Sequence, residues 1–167
     1  MSELEVRRAR TSDVPAVRDL VDRYTGDRRL LTKATVTLYE DVQEFVVAER
    51  DGVVVGCAAL HVLWADLAEV RTVAVDPVLQ GQGVGSLLLE RLLRRAVDLG
   101  VRRVFCLTFE TGFFARHGFV EAREVLVDAR VQEELLQSHD EGVAEFLDLA
   151  RVRPNTLGNT RMLRVLR

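Results

Sequence analysis

The chain has 167 residues, of which 48% are hydrophobic and 29% charged; this is globular composition, and it fits a single α/β domain over residues 1–167 rather than a disordered chain. No apolar run approaches the roughly 18 residues of a membrane span. The net charge of -3 and pI near 5.7 supply no electrostatic reason to bind nucleic acid or an anionic membrane.

The first residues, Met1 to Glu5, lack the basic, apolar and cleavage regions of a signal peptide, and two cysteines are too few for a disulfide framework. A reducing cytoplasm is therefore expected. Of the 23 basic residues all but Lys33 are arginine, which makes Lys33 conspicuous. A strand is predicted over Leu4 to Arg8. Thr11-Ser12-Asp13 then caps a helix whose buried stripe is Val14, Val17, Leu20, Val21 and Tyr24, ending at Gly26. A basic stretch from Arg28 to Lys33 leads to a second amphipathic segment with Leu38, Val42 and Phe45 on one face. Two antiparallel strands, Phe45–Ala48 and Val53–Leu60, flank Asp51-Gly52, a hairpin turn signal because glycine supplies positive φ without steric cost. After a loop containing His61, Trp64 and Asp66, a third strand runs from Glu69 to Val75. Gln80 to Gly85 form a glycine-rich loop, followed by a helix from Leu87 to Val97 that ends at Leu99-Gly100. A strand over Val104–Phe109 and a short helix from Thr111 to His117, closed by Gly118, come next. The tail holds a helix around Val131–Gln137, an ambiguous segment Val143–Leu149, a loop at Pro154–Asn159 and a last strand through Met162–Leu166.

Three glycines at alternate positions, Gly81, Gly83 and Gly85, let the backbone approach a ligand closely and gather N–H groups at the positive end of the following helix. That suits a pyrophosphate, although a tight turn with no ligand has the same look. No Gly-Lys-Ser/Thr follows, so the loop is not a P-loop, and its spacing does not meet the dinucleotide fingerprint. Strand, glycine loop and helix in this order resemble the GCN5-related N-acetyltransferase family, whose Gln/Arg-x-x-Gly-x-Gly/Ala pattern falls on Gln80, Gly83 and Gly85. The resemblance covers about residues 4 to 120 and implies a mixed central sheet flanked by helices. It also implies acetyl-CoA as co-substrate, with no metal. Val73, Ala74 and Val75 would hold the pantetheine arm, and Gln80, Gly81, Gln82, Gly83, Val84, Gly85 and Ser86 the phosphates.

A closer resemblance is to bacterial amino-acid (glutamate) N-acetyltransferases, the first enzymes of arginine biosynthesis. Val6-Arg7-Arg8-Ala9, Gly56 to Leu60, Ala68-Glu69-Val70, Phe114 to Phe119 and Arg161 carry it. Many such synthases have an amino-acid-kinase-like domain in front, so this chain resembles their short stand-alone form. A homodimer is left open.

Acetyl transfer to an amine needs a base for the ammonium proton, support for an oxyanion and a proton for the departing thiolate. Glu69, near the start of the central strand, is the preferred base, and the resemblance gives a glutamate this role; His61 is a rival with a suitable intrinsic pKa. Phe114 stands where the wider family often has a protonating tyrosine, leaving Thr111, or Thr108, as the nearest hydroxyl. Cys57 and Cys106 lie in apolar strand patterns and read as core thiols, which disfavours a ping-pong route. Lys33, Arg71 and Arg161 form a set of cations for an acidic amino acid: the resemblance places Lys33 and Arg161 at the substrate, and Arg71 shares a strand face with Glu69. A peptide or protein acetyltransferase and a non-catalytic acyl-CoA sensor are the competing functions.

Overall fold

The computed structural model describes residues 2–25, 33–124, 126–147 and 159–167. Gly26, residues 28–32 of the basic stretch and residues 154–158 of the expected loop lie outside the described residues. In chain order the elements are β1 (Leu4–Arg8), α1 (Val14–Thr25), α2 (Thr35–Glu40), β2 (Phe45–Arg50), β3 (Val53–Trp64), β4 (Leu67–Val75), α3 (Val84–Asp98), β5 (Arg103–Thr108), α4 (Thr111–Arg116), β6 (Val120–Glu121), α5 (Ala129–Leu135), α6 (Glu141–Phe146) and β7 (Thr160–Val165). Among the described residues the strands form one seven-stranded sheet in the order β1-β2-β3-β4-β5-β7-β6. It is mixed: β4 and β5 run parallel, and every other neighbouring pair is antiparallel.

Asp51 and Gly52 both have positive φ, 54° and 77°, so the β2–β3 hairpin closes on the two-residue turn that the sequence implied. Beyond it β3 continues past the expected end at Leu60. His61 and Trp64 therefore lie in a strand rather than a loop, and Ala65-Asp66 makes the tight turn into β4. Buried Leu60 and Leu63 anchor this extension while Val62 and Trp64 face outward. The second amphipathic segment is likewise split. α2 stops at Glu40, a 3-10 turn covers Val42–Glu44, and Phe45 opens β2, but Leu38 and Phe45 still share one core.

The two sheet faces carry different helices. α3 packs Val84, Leu88, Leu89, Leu92 and Ala96 against Ala58, Leu60, Ala68 and Val70. On the opposite face α1 and α2 cover Val47, Cys57, Ala59 and Ala74, while α5 and α6 cover Leu67 and Phe105 further along, the rings of Phe105 and Phe146 lying 4.8 Å apart. A partly buried ion-pair cluster fixes the α1 side. The Arg7 guanidinium donates to Asp13 at 2.8 and 3.0 Å and to Glu49 at 2.8 Å, holding the Asp13 carboxyl below its ordinary pKa.

Candidate active site

Pairing between β4 and β5 is confined to Ala68–Val104 and Glu69–Phe105, although both strands continue. The strands splay apart after Glu69, and the β4 edge from Val70 to Val75 faces a cleft of about 1140 Å³. At one end of the cleft lies the glycine loop. Gly81 and Gly83 have φ of 80° and 84°, and a Cβ on either would meet no atom within 4 Å. Their backbone therefore abuts open space, in a conformation that side-chain-bearing residues rarely adopt. Gly83 is the N-cap of α3, a 15-residue helix, so its free N–H groups and positive end point at whatever occupies this part of the cleft. Gly85 answers a different need. A Cβ there would sit 3.4 Å from the Phe113 ring. The Ser86 hydroxyl is 2.9 Å from His117 Nε2, and Gln80 Nε2 donates to the Tyr24 hydroxyl at 2.9 Å. That hydroxyl in turn donates to the Val75 carbonyl.

Toward the other end, alternation along β4 puts Leu67, Glu69 and Arg71 on one face. The two polar residues thus fall between the α1 core, which contains Ala59 and Ala74, and the α5–α6 core, which contains Leu67. At Thr72, φ is 57° and β4 has two residues, Thr72 and Val73, where β3 has only Ala58. This bulge turns Val73 toward the α3 side and restores Ala74 to the α1 core.

Arg71 is the hub of the buried polar group. Its Nε donates to Glu69 Oε1 at 2.6 Å and its Nη1 to Asp140 Oδ2 at 3.0 Å, while Nη2 lies 2.7 Å from Asp140 Oδ1. A Cβ on Gly142 would come within 2.4 Å of the guanidinium, so only glycine lets α6 lie this close over Arg71. Burial pushes the Glu69 carboxyl up against the opposing pull of Arg71. Burial acts the same way on Asp140, but there the hydrogen bonds and charge of Arg71 prevail and hold the carboxyl well below the ordinary range. Asp140 also accepts from the Val143 N–H at 2.9 Å, capping α6. Glu145, on the same helix, reaches the cleft wall and accepts from Asn159 Nδ2 at 3.1 Å. Burial and the neighbouring Glu69 charge push it up to about 7.

The structure brings most of the expected residues together. Lys33, Glu69, Arg71, Val73, Val75, Gln80, Gly81, Gly83, Val84, Gly85 and Ser86 all line the cleft. Four stand elsewhere. Ala74 is buried in the α1 core, and the Gln82 side chain turns back to the Val78 carbonyl at 3.5 Å. Thr111, the first residue of α4, is exposed and off the wall, whereas Thr108 is on it and buried. Arg161 donates to the Phe146 carbonyl at 2.8 Å and lies over the Phe146 ring, off the wall. Arg71 is on the wall, but its charge is engaged by two carboxylates of the protein. His61 lies directly across from Glu69 on β3, and its Nδ1 is 3.0 Å from both oxygens of Glu44. Sequence reasoning missed Asp140 and Glu145, which follow no local motif, and it took Tyr24 for a core residue because its helical spacing is that of the buried stripe. Both cysteines are buried and form no disulfide; Cys57 lies in the α1 core, where burial pushes its thiol up to about 12, whereas Cys106 borders the cleft and has its thiol raised by burial and the Glu69 charge.

Among the described residues no group of side chains is suited to hold a metal, and no helix is long and apolar enough to cross a membrane. The acetyltransferase (GNAT) family model matches residues 14–119. The chain is 62% identical to the amino-acid acetyltransferase of Mycobacterium tuberculosis over 164 residues, 96% of this chain and 94% of that one. A crystal structure of a Mycobacterium tuberculosis protein in complex with CoA and NLQ superimposes with a TM-score of 0.94, at 61% identity, over 98% of this chain and 99% of that one. N-acetylglutamate synthase from Neisseria gonorrhoeae, complexed with coenzyme A and N-acetyl-glutamate, aligns with a TM-score of 0.78 at 26% identity; all of this chain is covered but only 36% of that one. The splayed strands, the glycine loop at the start of α3 and the matched sequence agree, and the chain belongs to the acetyltransferase (GNAT) family.

Proposed function

We propose that the chain is an acetyl-CoA-dependent amino-acid N-acetyltransferase that acetylates the α-amine of L-glutamate or L-glutamine, the first step of arginine biosynthesis, by direct transfer within a ternary complex. The observation that carries the reading is the buried Glu69 at the point where β4 and β5 part, with the glycine loop and the α3 N-terminus in the same cleft. The 62% identity to an amino-acid acetyltransferase over nearly the whole of both chains supports it.

The loop from Gly83 to Ser86 holds the phosphates of acetyl-CoA through backbone N–H groups and the α3 dipole. The free β4 edge at Val73 pairs with the amides of the pantetheine arm. Val75 is less available, since its carbonyl already accepts from Tyr24. Glu69, desolvated and carrying a raised pKa, takes part in removing the ammonium proton. The amine nitrogen then bonds to the acetyl carbon, the carbon–sulfur bond breaks with its electron pair on sulfur, and the second proton of the nitrogen passes to the thiolate. The Thr108 hydroxyl, buried on the cleft wall, is suited to relay that proton. Lys33, also on the wall, offers its charge to an acceptor carboxylate, while Arg71 acts through Glu69 and Asp140. Cys57 is sealed in the core, and Cys106, although it borders the cleft, is 1% exposed with its thiol held in the protonated form by burial and the Glu69 charge, which disfavours an acetyl-cysteine intermediate.

The test is a thiol-release assay with acetyl-CoA across all amino acids and a few N-terminal peptides. Turnover with glutamate, glutamine or both, and little with lysine or arginine, is expected. Turnover confined to peptides refutes the amino-acid reading, and tight acetyl-CoA binding with no turnover on any acceptor favours a sensor.

A further inference from the structure

We propose that Glu145 is a second catalytic carboxylate, placed by α6 and Asn159 to take the proton that the acceptor's ammonium group releases. The assignment rests on the acetyltransferase reading above. Three observations lead to it. Glu69 is only 4% exposed and its Oε1 is bound to Arg71 at 2.6 Å, so although burial raises its proton affinity it has little access to solvent through which to pass a proton on. Glu145 lies on the same cleft wall and is half-buried. Its Oε1 is fixed by Asn159, and its other oxygen has no hydrogen-bond partner among the described residues. It thus combines a fixed orientation with an acceptor atom that no described residue occupies and a partly exposed position.

The charged surroundings of Glu145 are mixed. Glu69 and Arg71 act on it from β4, the first raising and the second lowering its proton affinity, and Asn159 lowers it by donating to the charged form. Its own helix contributes Asp140, neutralised by Arg71, and the exposed Glu141. His61 on β3 is tied to Glu44, and Arg161 on β7 lies over Phe146, the residue next to Glu145. The resulting value near 7 leaves both protonation states populated at neutral pH, the condition under which a base both accepts and returns a proton efficiently. In the step itself an N–H bond of the ammonium, oriented by the Glu69 carboxylate, breaks and an O–H bond forms at the Glu145 oxygen not held by Asn159. The nitrogen lone pair so released attacks the acetyl carbon, and Glu145 returns its proton to solvent after the product leaves.

The experiment compares the full-length wild type with Glu145→Gln and Asn159→Ala, measuring kcat and kcat/KM from pH 5.5 to 9, coenzyme A affinity by calorimetry, and the Glu145 carboxyl by 13C NMR. Glutamine keeps the acceptor oxygen for Asn159, so a merely structural Glu145 would leave the pH profile unmoved. The expected result is an acidic limb near pH 7 in the wild type. Glu145→Gln should lose that limb and fall at least about 10-fold in kcat, with unchanged coenzyme A affinity. Asn159→Ala should shift the limb to higher pH, because the charged carboxylate loses a donor. A Glu145→Gln enzyme with wild-type kcat and limb overturns the inference while leaving the acetyltransferase reading intact. A Glu145 carboxyl titrating in the ordinary range near 4 to 5 does the same whether or not the enzyme turns over. A wild type that acetylates no amino acid overturns both.

Discussion

Replacing Arg71 by methionine tests whether the buried charge cluster holds α6 over the cleft. The side chains of Arg71 and Glu69 are 7% and 5% exposed, and that of Asp140 is 22% exposed. Methionine fills much of the arginine stem but strands Glu69 and Asp140 without their cation. Removing one partner of a buried pair in this way costs about 3–5 kcal/mol at neutral pH. For a chain of this size each kcal/mol lowers Tm by about 2–4 °C, so a fall of about 6–20 °C is expected. The pH dependence supplies the diagnostic sign. In the wild type Asp140 has a depressed folded pKa, so its contribution is complete above the unfolded carboxylate value and is lost as the pH falls through the folded one. In the variant both carboxyls sit above their unfolded values. Their penalty is largest at neutral pH and relaxes as they protonate on acidification. Urea unfolding of both proteins between pH 5 and 8 measures this, and the gap between them should narrow toward pH 5. A loss below about 1 kcal/mol that does not change with pH would show that water, not Arg71, compensates these carboxylates, and would refute the reasoning.

Glu69→Gln keeps the size of the side chain but not its charge beside the ammonium. Its kcat should fall by about 10²-fold with acetyl-CoA affinity unchanged, as stopped-assay rates and calorimetry would show, and a wild-type rate across the pH range would remove Glu69 from the chemistry. Gly83→Val forces a β-branched residue into a φ of 84° at the cleft. Coenzyme A binding should be lost while circular dichroism stays native, and undiminished affinity would refute the phosphate assignment. Lys33→Met should raise KM for glutamate about 10- to 100-fold more than for glutamine if the lysine pairs with the side-chain carboxylate, a charge-assisted contact being worth about 1.5–3 kcal/mol; equal small effects would make Lys33 a bystander. Gly56→Ala places a Cβ 3.0 Å from the side chains of Leu88 and Val84, and this overpacking should destabilise by about 1–3 kcal/mol in urea unfolding.

Much of the fold was legible because its signals are local. The Asp51-Gly52 turn, the α3 stripe and the glycine loop each rest on residues within a few positions of one another, and the structure has them as expected. The misreadings share a cause. β3 runs on through His61 to Trp64 because β4 and the core beneath support it, and nothing in those four residues announces that support. β6 has two residues, both exposed, and exists only through pairing with β7 at the other end of the chain. The α5–α6 region lacks strong periodicity, since helices of seven and six residues draw their stability from docking rather than from their own hydrogen bonds.

The active site divides along the same line. Its glycine loop was readable, since the run from Gln80 to Ser86 carries both the loop and the helix start. The acceptor half was only half readable. Glu69 and Arg71 are two apart on a strand and so must share a face, yet what Arg71 does there is decided by Asp140, 69 residues later. Read from sequence as a cation for the substrate, Arg71 is engaged in the structure by the protein's own Glu69 and Asp140. Through Asp140 it holds the cap of α6, and with the Phe146 ring seated against Phe105 that cap fixes the helix carrying Glu145. A six-residue helix cannot keep a carboxylate at a set place unaided. If Glu69 and Glu145 carry the proton chemistry proposed above, it depends on one buried arginine, and Arg71→Met should abolish turnover even in the fraction of molecules that remain folded.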